Sequence, residues 1–393
     1  MTLNSVIISA LSFKAERDLL LINILSALLI AAIAFFPDSP ARIMLGFPFI
    51  LFFPGYMLIC ALFSREKDLD VVERLALSIG LSIAVTSLIG LMLNYTSFGI
   101  RLYSVTFSLF LFILLMSVVA MYRRRIVSPE EVFAPLSQKS ISGCFERAKN
   151  DFIKSNDENR VIKIIAIIAF SFITFALLTI AKTPPASGYE ISIYDAYPWY
   201  FWFFICSSIA CGICILVHQA FAERKSNWWS IGLFIIIFTN LIIILLPIFR
   251  GYFISDVGDE VTHLGMIKDI ALTGRVGEPN VYPISHILSI SLSYISGLDS
   301  RLIIKIVPAI FYLIYIGGLY LLAKLIGEKF EQVLLVIAFG SVLLFTYFNI
   351  FFLPTQFFLC LIPLILMLLL GKIVSSNRDR KSTRLNSSHV SIS

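Results

Sequence analysis

The sequence predicts an all-α polytopic helical membrane protein with about 10–11 transmembrane helices. Three observations lead there. The 393 residues are 58% hydrophobic and 14% charged, with a mean hydropathy of +0.90, more apolar surface than a water-soluble fold can cover. The apolar residues fall into long runs separated by short polar or Pro-containing turns. Basic residues gather in alternate loops, at Lys14/Arg17, Arg65/Lys67/Arg74, Arg123–Arg125 and Arg224/Lys225. That alternation predicts a multi-pass protein of the cell membrane with its amino terminus in the cytoplasm and the lipid bilayer as its first partner. The net charge of +6 sits mostly in these loops, so it reflects orientation and not a nucleic-acid partner.

Residues 19–36 form the first expected span, closed by the turn Pro37-Asp38-Ser39-Pro40. The second, 43–63, contains Phe53-Pro54-Gly55-Tyr56, where proline predicts a kink. Spans 75–95 and 103–122 complete a four-span module, 1–122. A polar cytoplasmic segment, 123–161, opens with the triplet Arg123-Arg124-Arg125, a topology signal with anionic-lipid binding as the lesser alternative. Spans 162–181 and 200–221 make a two-span connector, 162–228. Its outer loop, Gly188 to Trp199, combines Glu190 and Asp195 with Tyr189, Tyr194, Tyr197 and Trp199. Aromatic faces beside carboxylates suit a sugar, but an interfacial aromatic belt is the simpler expectation. The last module, 229–380, holds 229–249, 302–325, 333–348 and 357–370. The run 284–298 is short and serine-rich and is expected to re-enter, giving ten spans; a full crossing gives eleven.

The six cysteines predict no disulfide framework: Cys60, Cys206, Cys211, Cys214 and Cys360 lie in apolar runs and Cys144 in the polar segment. Cys211-Gly-Ile-Cys214 has metal-like spacing but lacks a second pair, so packing is the expectation. The spans are nearly free of Asp and Glu, which argues against ion-coupled transport.

The stretch 250–283 interrupts this hydrocarbon-soluble chain. Asp256, Asp259, Glu260, Lys268 and Asp269 are five charges within residues 256–269. At about 3 kcal/mol each, burial in a bilayer centre would cost about 15 kcal/mol, against about 0.5 returned by each Val, Leu or Ile. The segment therefore lies outside the hydrocarbon, as an outer acidic loop. Gly258 can end the preceding segment and Asp259 can cap a following helix. On that helix Asp259 and Glu260 stand four and three residues before His263, so either carboxylate can meet the imidazole. Such a set suits a general base, or Asp259 and Glu260 could take a divalent cation such as Mg or Mn. Lys268 and Arg275 could meet a phosphate; Asp256, Tyr282 and His286 complete the substrate-binding candidates, His286 folding back after Tyr282-Pro283. Glu260-Val-Thr-His263 also matches the Glu-x-x-His of di-iron bundles, but no second motif is present. The plain alternative is an amphipathic helix on the membrane surface with its polar face in water.

A span, an outer loop opening on an acidic pair, His263, Gly265, then Tyr282-Pro283 and a run ending Ser296-Gly297-Leu298 resembles the start of the GT-C superfamily of membrane glycosyltransferases, over about 229–370. The resemblance implies transfer of a sugar from a polyprenyl-phosphate-linked donor, with Asp259 or Glu260 in catalysis or metal binding. The superfamily's second acidic motif has no counterpart, since the loop 349–356 carries no acid. A non-catalytic multipass protein, an envelope-assembly scaffold or a transporter, is the alternative. Residues 18–122, with Leu45-Gly-Phe-Pro-Phe-Ile-Leu-Phe-Phe-Pro-Gly-Tyr56 and Glu73-Arg-Leu-Ala-Leu-Ser-Ile-Gly-Leu-Ser82, are similar to a four-span domain found chiefly in archaeal membrane proteins of unknown function. Residues 381–393 share no pattern with the rest and resemble a translated adapter artefact, which implies a truncated chain.

Overall fold

The computed structural model describes residues 16–128, 131–133, 135, 160–188, 190, 192–222, 226–255, 258–327, 329–343 and 351–371. Most of 123–161, with Cys144, and the tail 381–393 lie outside them, as do Lys14, Tyr189, Asp256 and residues 223–225. Among the described residues the fold is all helix, with one isolated bridge between Arg65 and Val132. In chain order the elements are α1 (Arg17–Phe35), α2 (Pro40–Leu51), α3 (Phe53–Leu62), α4 (Val71–Asn94), α5 (Leu102–Ile126), α6 (Arg160–Lys182), α7 (Trp199–Phe221), α8 (Trp228–Ile244), the single turn α9 (Leu246–Phe249), α10 (Asp259–Thr273), α11 (Pro283–Ser296), α12 (Ser300–Ile326), α13 (Phe330–Leu343) and α14 (Pro354–Gly371). Eight helices, counting Pro40–Leu62 as one, are long and apolar enough to cross a bilayer; Trp228–Ile244 and Phe330–Val342 are shorter apolar helices. The protein is a polytopic helical membrane protein.

The expected kink falls between α2 and α3. Pro54 has no N–H, so the Ile50 carbonyl has no intrahelical donor. Thr86 Oγ1 on α4 donates to it at 3.2 Å, and Ser82 Oγ accepts from Gly55 N at 2.7 Å. Gly55 is required here, because a Cβ would stand 2.0 Å from the Ser78 carbonyl oxygen. The expected span 229–249 is likewise broken, into α8 and α9, with Pro247 in the first turn of α9.

Two ends of the bundle can be distinguished. At one, here the basic end, Arg74 donates to the carbonyls of Phe63, Arg65 and Leu69, and Lys324 at the close of α12 pairs with Asp70. At the other, the site end, lie the loops 36–40, 95–101 and 250–282. Both ends of α11 meet this second end: Arg42 reaches the carbonyls of Tyr294 and Ile295, and Ser87 Oγ donates to Ile284 O at 3.5 Å. The helix has 14 residues, about 21 Å, too short for a bilayer. Both of its ends lie toward the site end, so it does not run through to the basic end, and α12 then returns there.

One apolar core joins α1–α5 to α10–α12, through Leu109 and Ile113, Ile267 and Ile270, Ile290 and Ile295, and Ile303. A second core packs α6, α7 and α8. Within the first lies a buried ion pair. Arg124 donates to both oxygens of Asp18 at 2.7 Å, and the Tyr56 hydroxyl donates to the same carboxylate at 2.5 Å. The basic triplet is therefore divided: Arg124 turns inward while Arg123 and Arg125 face out. Removing one partner strands a buried charge, at a cost of about 3–5 kcal/mol. Arg124→Met is expected to lower thermal stability in detergent by that amount, and adding Asp18→Leu to restore most of it. A double variant no more stable than the single one would contradict this.

Candidate functional site

The outer acidic loop begins on α9. Arg250 forms an ion pair with Glu190, and the Tyr252 hydroxyl donates to Glu190 Oε2 at 2.5 Å. The Arg250 guanidinium holds the Glu190 carboxyl below its ordinary range. Glu190, the carboxylate of the lesser, sugar-binding alternative, is thus engaged in closing two loops. Tyr197 is buried and stacked on Phe201 at 4.6 Å; Tyr194 packs on Trp202 at 4.8 Å but stays exposed, as does Trp199.

Gly258 is the N-cap of α10 and Asp259 its first residue, so the capping role expected of Asp259 is not what the backbone shows. The two first-turn carboxylates stabilise the positive end of the helix. They are about 100° apart around the axis and face different surroundings. Asp259 is exposed, whereas Glu260 is completely buried and accepts from Ser255 N. Lys305, 7% exposed on α12, lies within electrostatic range of Glu260 and donates to the Tyr252 carbonyl. Glu260 therefore ties the loop 252–260 to α12. The pair does not fit a shared divalent cation, and among the described residues no group of three or more His, Cys, Asp or Glu could hold a metal.

His263 meets neither carboxylate by hydrogen bond. Its Nδ1 lies 3.0 Å from His286 Nε2, and His286 Nδ1 lies 2.7 Å from Asn280 Oδ1. The structure thus brings His263 and His286 together across α10 and α11. Phe352 stacks over His286 with ring centres 6.1 Å apart, and Tyr282 presents its edge to His263 at 6.2 Å. Burial lowers the pKa of both rings; His286, also facing His263, is pushed down to about 4. Asp259 works the other way on His263. With both rings neutral, two proton orders satisfy the chain, set by which way the Asn280 amide faces. With Oδ1 toward the ring, His286 Nδ1–H donates to Asn280 Oδ1, so His286 Nε2 accepts from His263 Nδ1–H, and His263 Nε2 is left as a bare base.

The remaining candidates separate. Lys268 is exposed, with Asp299 in electrostatic range. Arg275 donates to the Asn94 carbonyl at the end of α4, about three helical turns beyond His263. The Asn94 side chain accepts from Val276 N at 2.8 Å, and Ile100 N donates to Gly274 O at 2.8 Å. Gly274, at φ +72°, and Gly297, at φ +78°, end α10 and α11 in the left-handed conformation that favours glycine. Sequence reasoning missed Asn280, Lys305 and Phe352. The one signal available was Lys305, a cation at the fourth position of the apolar run 302–325.

The fold and these contacts define an all-α polytopic membrane protein with a polar helix pair seated on its span ends. Residues 24–153 match a domain of unknown function (DUF8471), which takes in α2–α5 and most of α1 and leaves the helix pair outside. No curated protein matches the chain, and no solved structure does.

His286 has a pH signature. Its folded pKa lies below the ordinary 6.5, so the unfolded chain takes up the proton first. The stabilisation is complete above about pH 6.5 and is lost as pH falls toward 4, roughly 3 kcal/mol in all. Thermal unfolding in detergent should show this loss, and His286→Gln should flatten it. An unchanged pH slope in the variant would count against burial of the neutral ring.

Proposed function

We propose that the protein is a glycosyltransferase-like enzyme that moves a sugar from a polyprenyl-phosphate donor at the outer face of the cell membrane. The observation that carries the proposal is the exposed Asp259, on the same face of α10 as the half-buried His263 and at the level where spans end. A lipid-linked donor needs a polar site beside hydrocarbon. α10 offers both, since Val261 and Leu272 are exposed along with Asp259 and Lys268. The loops 36–40 and 183–198 at this end carry no Lys or Arg, which supports placing it outside and the amino terminus in the cytoplasm. The resemblance to the GT-C superfamily supports the same reaction, and the similarity of the first four spans to archaeal proteins supports an archaeal source.

In this scheme Asp259 accepts the proton of the acceptor hydroxyl as that oxygen bonds the sugar's anomeric carbon. The bond from that carbon to the phosphate oxygen breaks, and the polyprenyl phosphate leaves with the electron pair. His263 supports Asp259 only after the proton has been taken up, its bare Nε2 then being the base to which the protonated carboxyl can pass it. Neither expected cation is placed for the donor phosphate: Arg275 is engaged with Asn94, and Lys268 stands nine residues beyond Asp259, about 14 Å along α10 and on its opposite face. Glu260 fixes the turn that presents Asp259 and does not touch substrate.

A second reading, a non-catalytic scaffold, is favoured by the engagement of Glu190, Glu260 and Arg275 in contacts that hold loops together. Transfer of radiolabelled sugar from a polyprenyl-phosphate donor separates the two. A positioned general base contributes about 10²–10⁴ to rate. Asp259→Asn should therefore reduce transfer at least 100-fold while leaving thermal stability unchanged. Transfer at the wild-type rate would refute the assignment.

A further inference from the structure

At the basic end, far from the helix pair, a cavity of about 510 Å³ opens between the ends of α3 and α5. Its size is that of a small-molecule site. Its lining divides by chemistry. Leu62, Phe63 and Ile126 form an apolar flank, and all three are exposed at the span ends. Arg65, Arg123 and Asp68 form the polar side.

The cations there are available. Among the described residues Arg123 has no hydrogen-bond or ion-pair partner, and it is exposed. Arg65 makes one loose pair, 3.7 Å to Glu131, with both side chains largely in solvent. Such a pair contributes little and yields readily to a better anion. Asp68 opposes an anion, but one of its oxygens already accepts from Arg65 N at 3.1 Å.

The backbone that borders the cleft is held by hydrogen bonds. Arg74 donates to Phe63 O at 2.9 Å and to Arg65 O. Phe133 N donates to Ser64 O at 3.1 Å, and Ser64 Oγ to Cys60 O at 3.3 Å. The carbonyls of Phe63, Ser64 and Arg65 are therefore already paired. The inward turn of Arg124 onto Asp18 separates it from Arg123, which is left facing the cleft.

We propose that this cleft is a binding site for the headgroup of an anionic phospholipid, with Arg123 as the principal phosphate contact and Arg65 as the second. Leu62, Phe63 and Ile126 take the start of the acyl chains. The lipid, and not a free phosphate, is the occupant because the cations border an exposed apolar flank at the ends of two apolar helices. The proposal is independent of the sugar-transfer reading.

The test uses the full chain in nanodiscs of mixed phosphatidylglycerol and phosphatidylcholine, released into detergent, with retained lipid counted by native mass spectrometry. Phosphatidylglycerol should be retained over phosphatidylcholine. Arg123→Gln should weaken its retention about five-fold, the effect of one interfacial cation. Arg65→Gln should weaken it less, and Asp68→Asn should strengthen it. Because Asp68→Asn is expected to shift retention in the opposite direction, general loss of folding cannot mimic the set. sn-Glycerol 1-phosphate, which has the anion without the chains, should not displace the lipid. Equal retention of the two lipids, wild-type retention by Arg123→Gln, or full displacement by glycerol phosphate would each overturn the proposal.

Discussion

Inside hydrocarbon a backbone N–H or C=O has no water to turn to, so each interruption of a helix must be closed by the protein itself. This constraint governs the architecture. The break at Pro54 is closed by Thr86 and Ser82. The carbonyl end of α11 is closed by Arg42, a buried guanidinium that also donates to Pro37 O at 2.9 Å. The end of α10 is closed by Ile100 N, with Asn94 and Arg275 fixing the chain just beyond it. α11 can end inside the bundle because the first four spans supply the donors its last carbonyls lack.

The same reasoning accounts for the two buried charged groups at opposite ends of the bundle. Asp18, Arg124 and Tyr56 link α1, α5 and α3 near the basic end. Glu260, Lys305 and the Tyr252 carbonyl link α10, α12 and the intervening loop near the site end. Each lies close to a span terminus, where a partly buried charge costs less than at the bilayer centre. Neither is a redundant surface pair, and each fixes the relative positions of helices that apolar contacts alone would leave free to slide.

Much of this fold was legible in the sequence. Long apolar runs located the spans, and Pro54 located the kink. The return of His286 toward His263 followed from Tyr282-Pro283. Side-chain direction was far less legible. Asp259 and Glu260 are adjacent in sequence, and helical rotation sends one to water and the other into the core. Arg123 and Arg124 divide in the same way. Composition cannot distinguish such neighbours, because which face is covered depends on helices more than 40 residues away. Asn280 and Arg42 were opaque for a related reason: their roles rest on partners that become neighbours only after the spans assemble.

The seating of α10 and α11 on the first four spans bears on how the protein is made. A ribosome feeding the membrane completes α1–α5 long before residue 259 emerges. The late helix pair therefore finds its donors, Arg42 and Ile100, already waiting in an inserted platform. Biogenesis is directional: the amino-terminal spans act as a template, and the pair cannot dock until the chain has crossed and returned several times. Faults in the early spans, even ones tolerated during insertion, would surface later as failure of the polar pair to seat.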